Sequence, residues 1–387
     1  MSEINENKEP LNKNNKVPKL RLSRYKNENL LTKRLDSIVL FSKGNGLSKD
    51  DLNDDGKLCI LYGELYTKYL GKIDKIFSRT NVLPSNPKYS KAGDIIMPLS
   101  GETPLDISNS AVVPIDGIVL GSDLLVMTPK DGFNSLFLSY YISNCRKKEI
   151  ARKACGISII HLHKHDIEKL VINYPSIYEQ NDISQIISKM DKKINIISNK
   201  INTLKKYKKG ISINILKKLD SYDSMSLSKL CNVTTGKLDA NAMTVNGKYK
   251  FFTCSREDYT INNYAFDCEA LLISGNGEVG LTKYYKGKFN AYQRTYVLYN
   301  FKRNAKFIKM CIDNQISTVI KKETNKGAMP YIKLTTFDKI LIPLISKSVE
   351  NNIEAIINII DKKIELLENS LKALNLIKKQ LLNSMFI

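Results

Sequence analysis

The clearest pattern in the chain is a stripe of apolar residues, Ile183, Ile187, Met190, Ile194, Ile197, Ile201 and Leu204, at alternating spacings of four and three. Such a stripe marks the seam of a helix that packs along another helix. At a constant offset of 170 positions the series recurs without a gap as Ile353, Ile357, Ile360, Ile364, Leu367, Leu371 and Leu374, so that "MDKKI" (Met190 to Ile194) returns as "IDKKI" (Ile360 to Ile364). Each pattern continues past a Lys pair, Lys208 and Lys209 or Lys378 and Lys379, to Leu216 or Phe386. That length corresponds to about 34 residues, or roughly 50 Å of helix. Two unrelated coiled coils serving homodimerisation would be the alternative to a duplication.

The offset also works upstream of both helices. "NSLFLSYYISN" from Asn134 matches "NAKFIKMCIDN" from Asn304, and "HLHKHDIEKLVINYP" after Ile160 matches "YIKLTTFDKILIPLI" after Pro330, where alternating apolar residues predict short strands. Earlier still the match needs gaps: "DGKLCILYGEL" resembles "NGKYKFFTCSR", and "GDIIMPLSGE" resembles "EALLISGNGE". The expected fold is therefore mixed α/β, with two pseudo-repeated α/β domains, each followed by a long helix, and the helices pairing as an antiparallel coiled coil with one globule at each end. The boundaries expected are a polar, disordered tail over 1–25, a first domain over 26–177, a central helical spacer over 178–219, a second domain over 220–348 and a C-terminal helical spacer over 349–387.

Charge adds a partner. Sixty Lys plus Arg against 39 Asp plus Glu leave a formal charge of +21, more than solubility requires, which points to a polyanionic partner, either a nucleic acid such as double-stranded DNA or an anionic membrane. No apolar run approaches the roughly 18 residues that span a bilayer, and the opening "MSEINENKEPLNKNNK" is too polar for a signal peptide, so a cytoplasmic location and no membrane partner are expected. The seven cysteines include no C-x-x-C pair and are expected to be free thiols.

With this duplicated architecture the chain resembles the specificity subunits of type I restriction–modification systems over all but about its first 25 residues. The phrases that carry the resemblance are "GNGLSKDDLNDDGKLCILYGELYTKY" (Gly44 to Tyr69), "LSKLCNVTTGKLDAN" (Leu227 to Asn241), "AFDCEALLISGNGEVG" (Ala265 to Gly280), "FNAYQRTYVL" (Phe289 to Leu298) and "IKKQLLNSMF" (Ile377 to Phe386). The resemblance implies that the two globules are target-recognition domains, each reading one half of a bipartite DNA target. It also implies that two methyltransferase subunits dock on the paired helices for N6-methylation of adenine, and that motor-nuclease subunits join for restriction. The chain itself would catalyse nothing and hold no cofactor.

Individual motifs agree with a non-catalytic reading. Gly275, Gly277 and Gly280 form a G-x-G-x-x-G after an apolar run, but "LTKYYKGKFNAY" follows where a dinucleotide-binding loop needs a helix. A Gly-rich turn near a DNA backbone, flanked by Lys283, Lys286 and Lys288, is expected instead. "NPKY" (Asn86 to Tyr89) lacks the second proline of an adenine-holding N-P-P-Y, and no nuclease-like carboxylate–lysine set stands out. His161, His163 and His165 alternate as on one face of a strand; their counterparts Tyr331, Lys333 and Thr335 argue for a polar, DNA-facing edge and against a metal.

Base-reading candidates are polar and aromatic residues in predicted loops: Lys43, Asn45, Tyr62, Glu64, Tyr66 and Lys68 in the first half, and Lys237, Arg256, Asn276, Tyr292, Gln293 and Arg294 in the second; Gly156, Ser158 and Lys326 are expected to contact DNA without a base assigned. Arg suits guanine O6/N7, Asn and Gln suit adenine N6/N7, and Glu accepts from cytosine N4. The paired loops around Gly156 and Gly327 are further expected contacts. The rival function is a structural or regulatory DNA-binding coiled-coil protein without a methyltransferase. Apolar residues off the seam, Ile186, Ile196, Ile356 and Leu366, favour partner helices over that rival.

Overall fold

The computed structural model describes residues 17–69, 71–324 and 329–386. It divides into two compact units whose boundaries cut both long helices: residues 1–197 with 370–387, and residues 198–369. The first long helix is Ile177–Leu219 and the second Lys347–Met385. Each unit thus holds one globule together with a segment of both helices.

In the first unit a five-stranded sheet has the order 39–43, 124–129, 95–98, 111–112, 71–72, antiparallel except for the last pair. Its central strands are apolar at successive positions because both faces are covered. Ile95, Met97, Leu125 and Met127 join the core of Phe137, Leu138 and Tyr141 from the helix Ser135–Asn144, whereas Ile96, Leu124 and Val126 join Ile60, Leu65, Ile118 and Leu120. In the second unit a six-stranded sheet runs 232–235, 295–299, 266–274, 282–291, 249–252, 259–261. Alternation works there in the same way: Leu271, Ile273 and Leu298 face the helix Ala305–Glu323, and Ala270, Leu272 and Val297 face Phe252 and Phe289. A fully buried Leu, Ile or Phe side chain stabilises by about 1.5–3 kcal/mol, so the two faces of each sheet dominate its unit's stability.

The repeat is visible as repeated contacts. Asn134 caps the helix Ser135–Asn144 by accepting from Phe137 N, and Asn304 caps Ala305–Glu323 by accepting from Lys306 N and Phe307 N. Both caps also reach the long helix of their own unit: Asn134 N donates to Gln180 Oε1 and its Nδ2 to Asn181, while Asn304 N donates to Glu350 Oε2 and its Nδ2 to Asn351. A short ladder closes each globule, 31–34 with 171–174 and 224–226 with 341–343.

Every expected seam residue is buried or half-buried. Ile183 and Ile187 belong to the first globule's core together with Leu382, Met385 and Phe386, and Ile353 and Ile357 to the second's. Hence the head of each stripe packs on a globule as well as along a helix. Within each unit the helix segments run antiparallel: Asp191 pairs with Lys378 in the first, and Lys208 with Asp361 at 2.6 Å and Lys205 with Glu368 at 2.6 Å in the second.

Two expectations need correction. The tail was expected to be disordered to residue 25, yet Leu20 N donates to Ser384 O, Arg21 forms a buried ion pair with Glu179, and Ser23–Tyr25 is a helical turn. The carboxylate of Glu179 needs a cation once it is buried, and Arg21 supplies it. The histidines do not share a strand face: only Ile160–His161 is strand, His163 precedes the helix Lys164–Glu168, and Ile167 turns into the core. The i, i+4 pair of Lys164 and Glu168 at 3.0 Å supports the helical turn. In the counterpart segment a helical turn, Leu334–Lys339, likewise precedes the strand Leu341–Pro343.

Candidate DNA-reading loops

In the second unit the predicted residues that the structure describes converge at one end of the six-stranded sheet. Gly236 begins the first loop there; its α-carbon lies so close to the backbone that an added Cβ would sit 2.0 Å from Ala291 O. Gln293 N donates to Leu238 O at 2.8 Å, which places Lys237 beside Tyr292 and Gln293. Gly275 N donates to Arg294 O at 2.9 Å and Glu278 N to Cys254 O at 3.2 Å, joining the loops that carry Asn276 and Arg256. Lys237, Arg256, Gln293 and Arg294 are exposed and Tyr292 is half-buried. Asn276 is half-buried, its Oδ1 buried without a hydrogen-bond partner.

The Gly-rich segment connects two antiparallel strands, 266–274 and 282–291, with Gly277 (φ 59°) and Gly280 (φ 84°) in the left-handed region that glycine tolerates. It is a hairpin loop, and a dinucleotide-binding turn, which runs from strand to helix, is excluded. Lys283, expected to supply free charge here, is occupied: its Nζ donates to Arg256 O at 3.0 Å, Glu257 O at 3.1 Å and Asp258 Oδ1 at 3.1 Å. Burial raises the Asp258 pKa, but its bonds to Lys283 and Lys250 outweigh that and hold the carboxyl below its ordinary range.

The first unit gathers a matching set. An added Cβ on Gly44 would sit 2.0 Å from Gly121 O, the same close approach as at Gly236. Asn45 N donates to Leu120 O at 3.0 Å and its Nδ2 to Asn86 O at 2.9 Å, Gly121 N to Ile60 O at 2.9 Å, and the ring of Tyr66 lies 3.6 Å from the position of a Gly101 Cβ. Burial, with Tyr62, Glu102 and Asp106 nearby, raises the Tyr66 pKa. Ile160 pairs with Gly101, bringing the exposed Gly156 and Ser158 to the same end, and Gly156 (φ 119°) makes the tight turn. Lys43 ends its strand exposed.

Two first-unit candidates serve other ends. Glu64 is buried and its carboxylate accepts from Leu61 N, Lys68 Nζ and Ser78 Oγ at 3.0, 2.8 and 2.6 Å, so it organises its own turn and is not presented to a cytosine. Lys68 is held by that same carboxylate. Lys326 and Gly327 lie outside the described residues. Sequence reasoning missed Asp239 and Glu278, whose partners Gln293 and Arg256 stand 54 and 22 positions away and leave no local signal.

Among the described residues no group of three or more His, Cys, Asp or Glu could hold a metal ion, and no helix is long and apolar enough to cross a membrane. His161 is engaged with Ser100 Oγ at 2.9 Å. All seven cysteines are free; burial pushes the Cys59 thiol up to about 11 and those of Cys145 and Cys231 up to about 12, leaving Cys155 as the exposed one.

Comparison with known proteins places this duplicated α/β frame with its long helices in a family. The profile of the type I restriction modification DNA specificity domain matches residues 27–206 and 220–376. The chain therefore belongs to the type I restriction–modification specificity family. It is 39% identical over 128 residues to the type I restriction enzyme EcoDI specificity subunit of Escherichia coli, a match that spans 33% of this chain and 28% of that protein. Its fold is similar to that of the type I restriction–modification system S subunit from M. genitalium, with a TM-score of 0.71, 18% identity, and coverage of 96% of this chain and 99% of that one.

Proposed function

We propose that this chain is the non-catalytic sequence-reading subunit of a type I restriction–modification complex, acting in the cytoplasm. Each unit reads one half of a bipartite duplex target through its loop cluster. The helix pair seats two methyltransferase subunits, which methylate adenine N6, and motor-nuclease subunits complete the restricting assembly. The observation that carries this reading is unlike residues on like frames: the cap and helix contacts recur in both units, whereas the loop after the close-approach glycine holds Asn45 in one and Lys237 in the other. Two different readers on one frame suit an asymmetric, two-part site. Exposed apolar residues on the long helices, including Ile196, Ile356 and Ile359, support docking of partner helices over the rival bridging protein.

The test is reconstitution. The chain is co-expressed with its methyltransferase subunit, and the purified complex is assayed for methyl transfer from labelled S-adenosylmethionine to genomic DNA. Co-purification with transfer that depends on the chain supports the proposal; a methyltransferase equally active and selective without it refutes it.

A further inference from the structure

Within the loop cluster of the second unit, two exposed side chains are already aimed. Arg256 is held by Glu278, whose Oε2 accepts from Nε at 3.1 Å and Nη2 at 3.0 Å. That contact uses the Nε edge of the guanidinium and leaves the Nη1/Nη2 edge open. Gln293 is held by Asp239, whose Oδ1 accepts from Nε2 at 2.7 Å. A carboxylate only accepts, so this bond fixes which way the amide faces and leaves its Oε1 and second N–H open. The backbones are restrained as well: Lys283 Nζ donates to Arg256 O, Glu278 N to Cys254 O and Gln293 N to Leu238 O.

Building on the proposed function, we infer that Glu278 and Asp239 are positioning residues that pre-aim Arg256 and Gln293 at one guanine and one adenine of the half-site read by the second unit. The open edges decide the bases. Two N–H groups of one guanidinium edge match guanine O6 and N7, and a free amide oxygen beside a free amide N–H matches adenine N6 and N7. An exposed ion pair alone contributes little to stability, which suits a role in orientation. An Arg whose fork is already fixed loses less side-chain freedom when it meets a base.

The experiment maps N6-methyladenine in a methylation-free host expressing the methyltransferase subunit with the chain or its variants. Arg256→Ala should relax one G·C position of one half-site by about ten- to a hundredfold, and Glu278→Gln should relax that same position by a few-fold. Gln293→Ala and Asp239→Asn should together relax one A·T position of that half-site. The other half-site stays unchanged in all four, which certifies that the chain is folded. Where a variant loses methylation altogether, competition by duplexes altered one base pair at a time reads the same selectivity from binding. If the unaltered chain yields no bipartite motif, the specificity reading itself fails. If it yields one but Glu278→Gln leaves the Arg256 position as stringent as before, or Arg256→Ala weakens all positions equally, the positioning assignment fails.

Discussion

Asp191 pairs with Lys378 across the helix segments of the first unit, and the second unit makes the same pair with the roles of the helices exchanged, Asp361 with Lys208. Each partner lies 170 positions from its counterpart. The repeated pentapeptides "MDKKI" and "IDKKI" therefore hold the acid of each pair, and the later Lys pairs hold its base. Tyr140 adds a hydrogen bond to Asp191. Asp191→Lys is expected to destabilise the first unit by about 1 kcal/mol, because it opposes two cations and strands the Tyr140 hydroxyl. Adding Lys378→Asp should recover part of that loss, read from the midpoint of urea unfolding followed in the first unit by hydrogen exchange. Equal loss in single and double variants would show that the pair carries no coupling.

Gly44 and Gly236 should tolerate no side chain. A Cβ at either would press on a carbonyl oxygen at 2.0 Å, and backbone cannot swing aside as a long side chain can. Gly44→Ala or Gly236→Ala is expected to cost about 1–3 kcal/mol and to loosen the loops of its own unit. Hydrogen exchange confined to the altered unit checks this; unchanged exchange would contradict the close approach.

Acid should loosen the joint between the cap of the helix Ala305–Glu323 and the second long helix. Glu354 accepts from Asn304, and also bonds Asn358 and Lys306, so that its pKa is lowered from the ordinary 4.5. A lowered folded value contributes stability that is present above 4.5 and lost as pH falls through the folded value. Glu354→Gln should lower stability near neutrality and flatten this part of the acid unfolding curve, so that the variant and the unaltered chain converge at low pH. An identical acid slope in the variant would remove Glu354 from the account.

Cys155 offers a footprint of the first unit's loops. It is the exposed thiol beside Gly156 and Ser158, while Cys59, Cys231 and Cys311 are buried. Maleimide should modify Cys155 first, and target-containing DNA should slow that reaction whereas a scrambled duplex at the same salt should not. Equal protection by both duplexes would mean that this loop contacts phosphates only.

Long-range order was legible where the physics is periodic. The heptad stripe gave both helices, and the constant offset gave the shared frame, because a helix seam constrains every third or fourth residue. The histidine segment misled because alternation over five residues is short, and the helical turn around Ile167 is dictated by burial against the first globule's core. Glu64 looked like a base acceptor by residue type alone; its engagement with Ser78, 14 positions on, is tertiary. The candidate loop residues of the second unit stand out by polarity and aromatic content, but the carboxylates that hold Arg256 and Gln293 are set by tertiary contact and carry no local pattern.

The central claim is that this chain gives a methyltransferase its DNA sequence. Single-molecule mapping of N6-methyladenine across the host genome, with the gene intact, deleted and restored, tests it most directly. The account predicts one bipartite motif that loses methylation on deletion and regains it on complementation. Persistence of every methylated motif in the deletion strain, with the methyltransferase subunit still expressed, would contradict it.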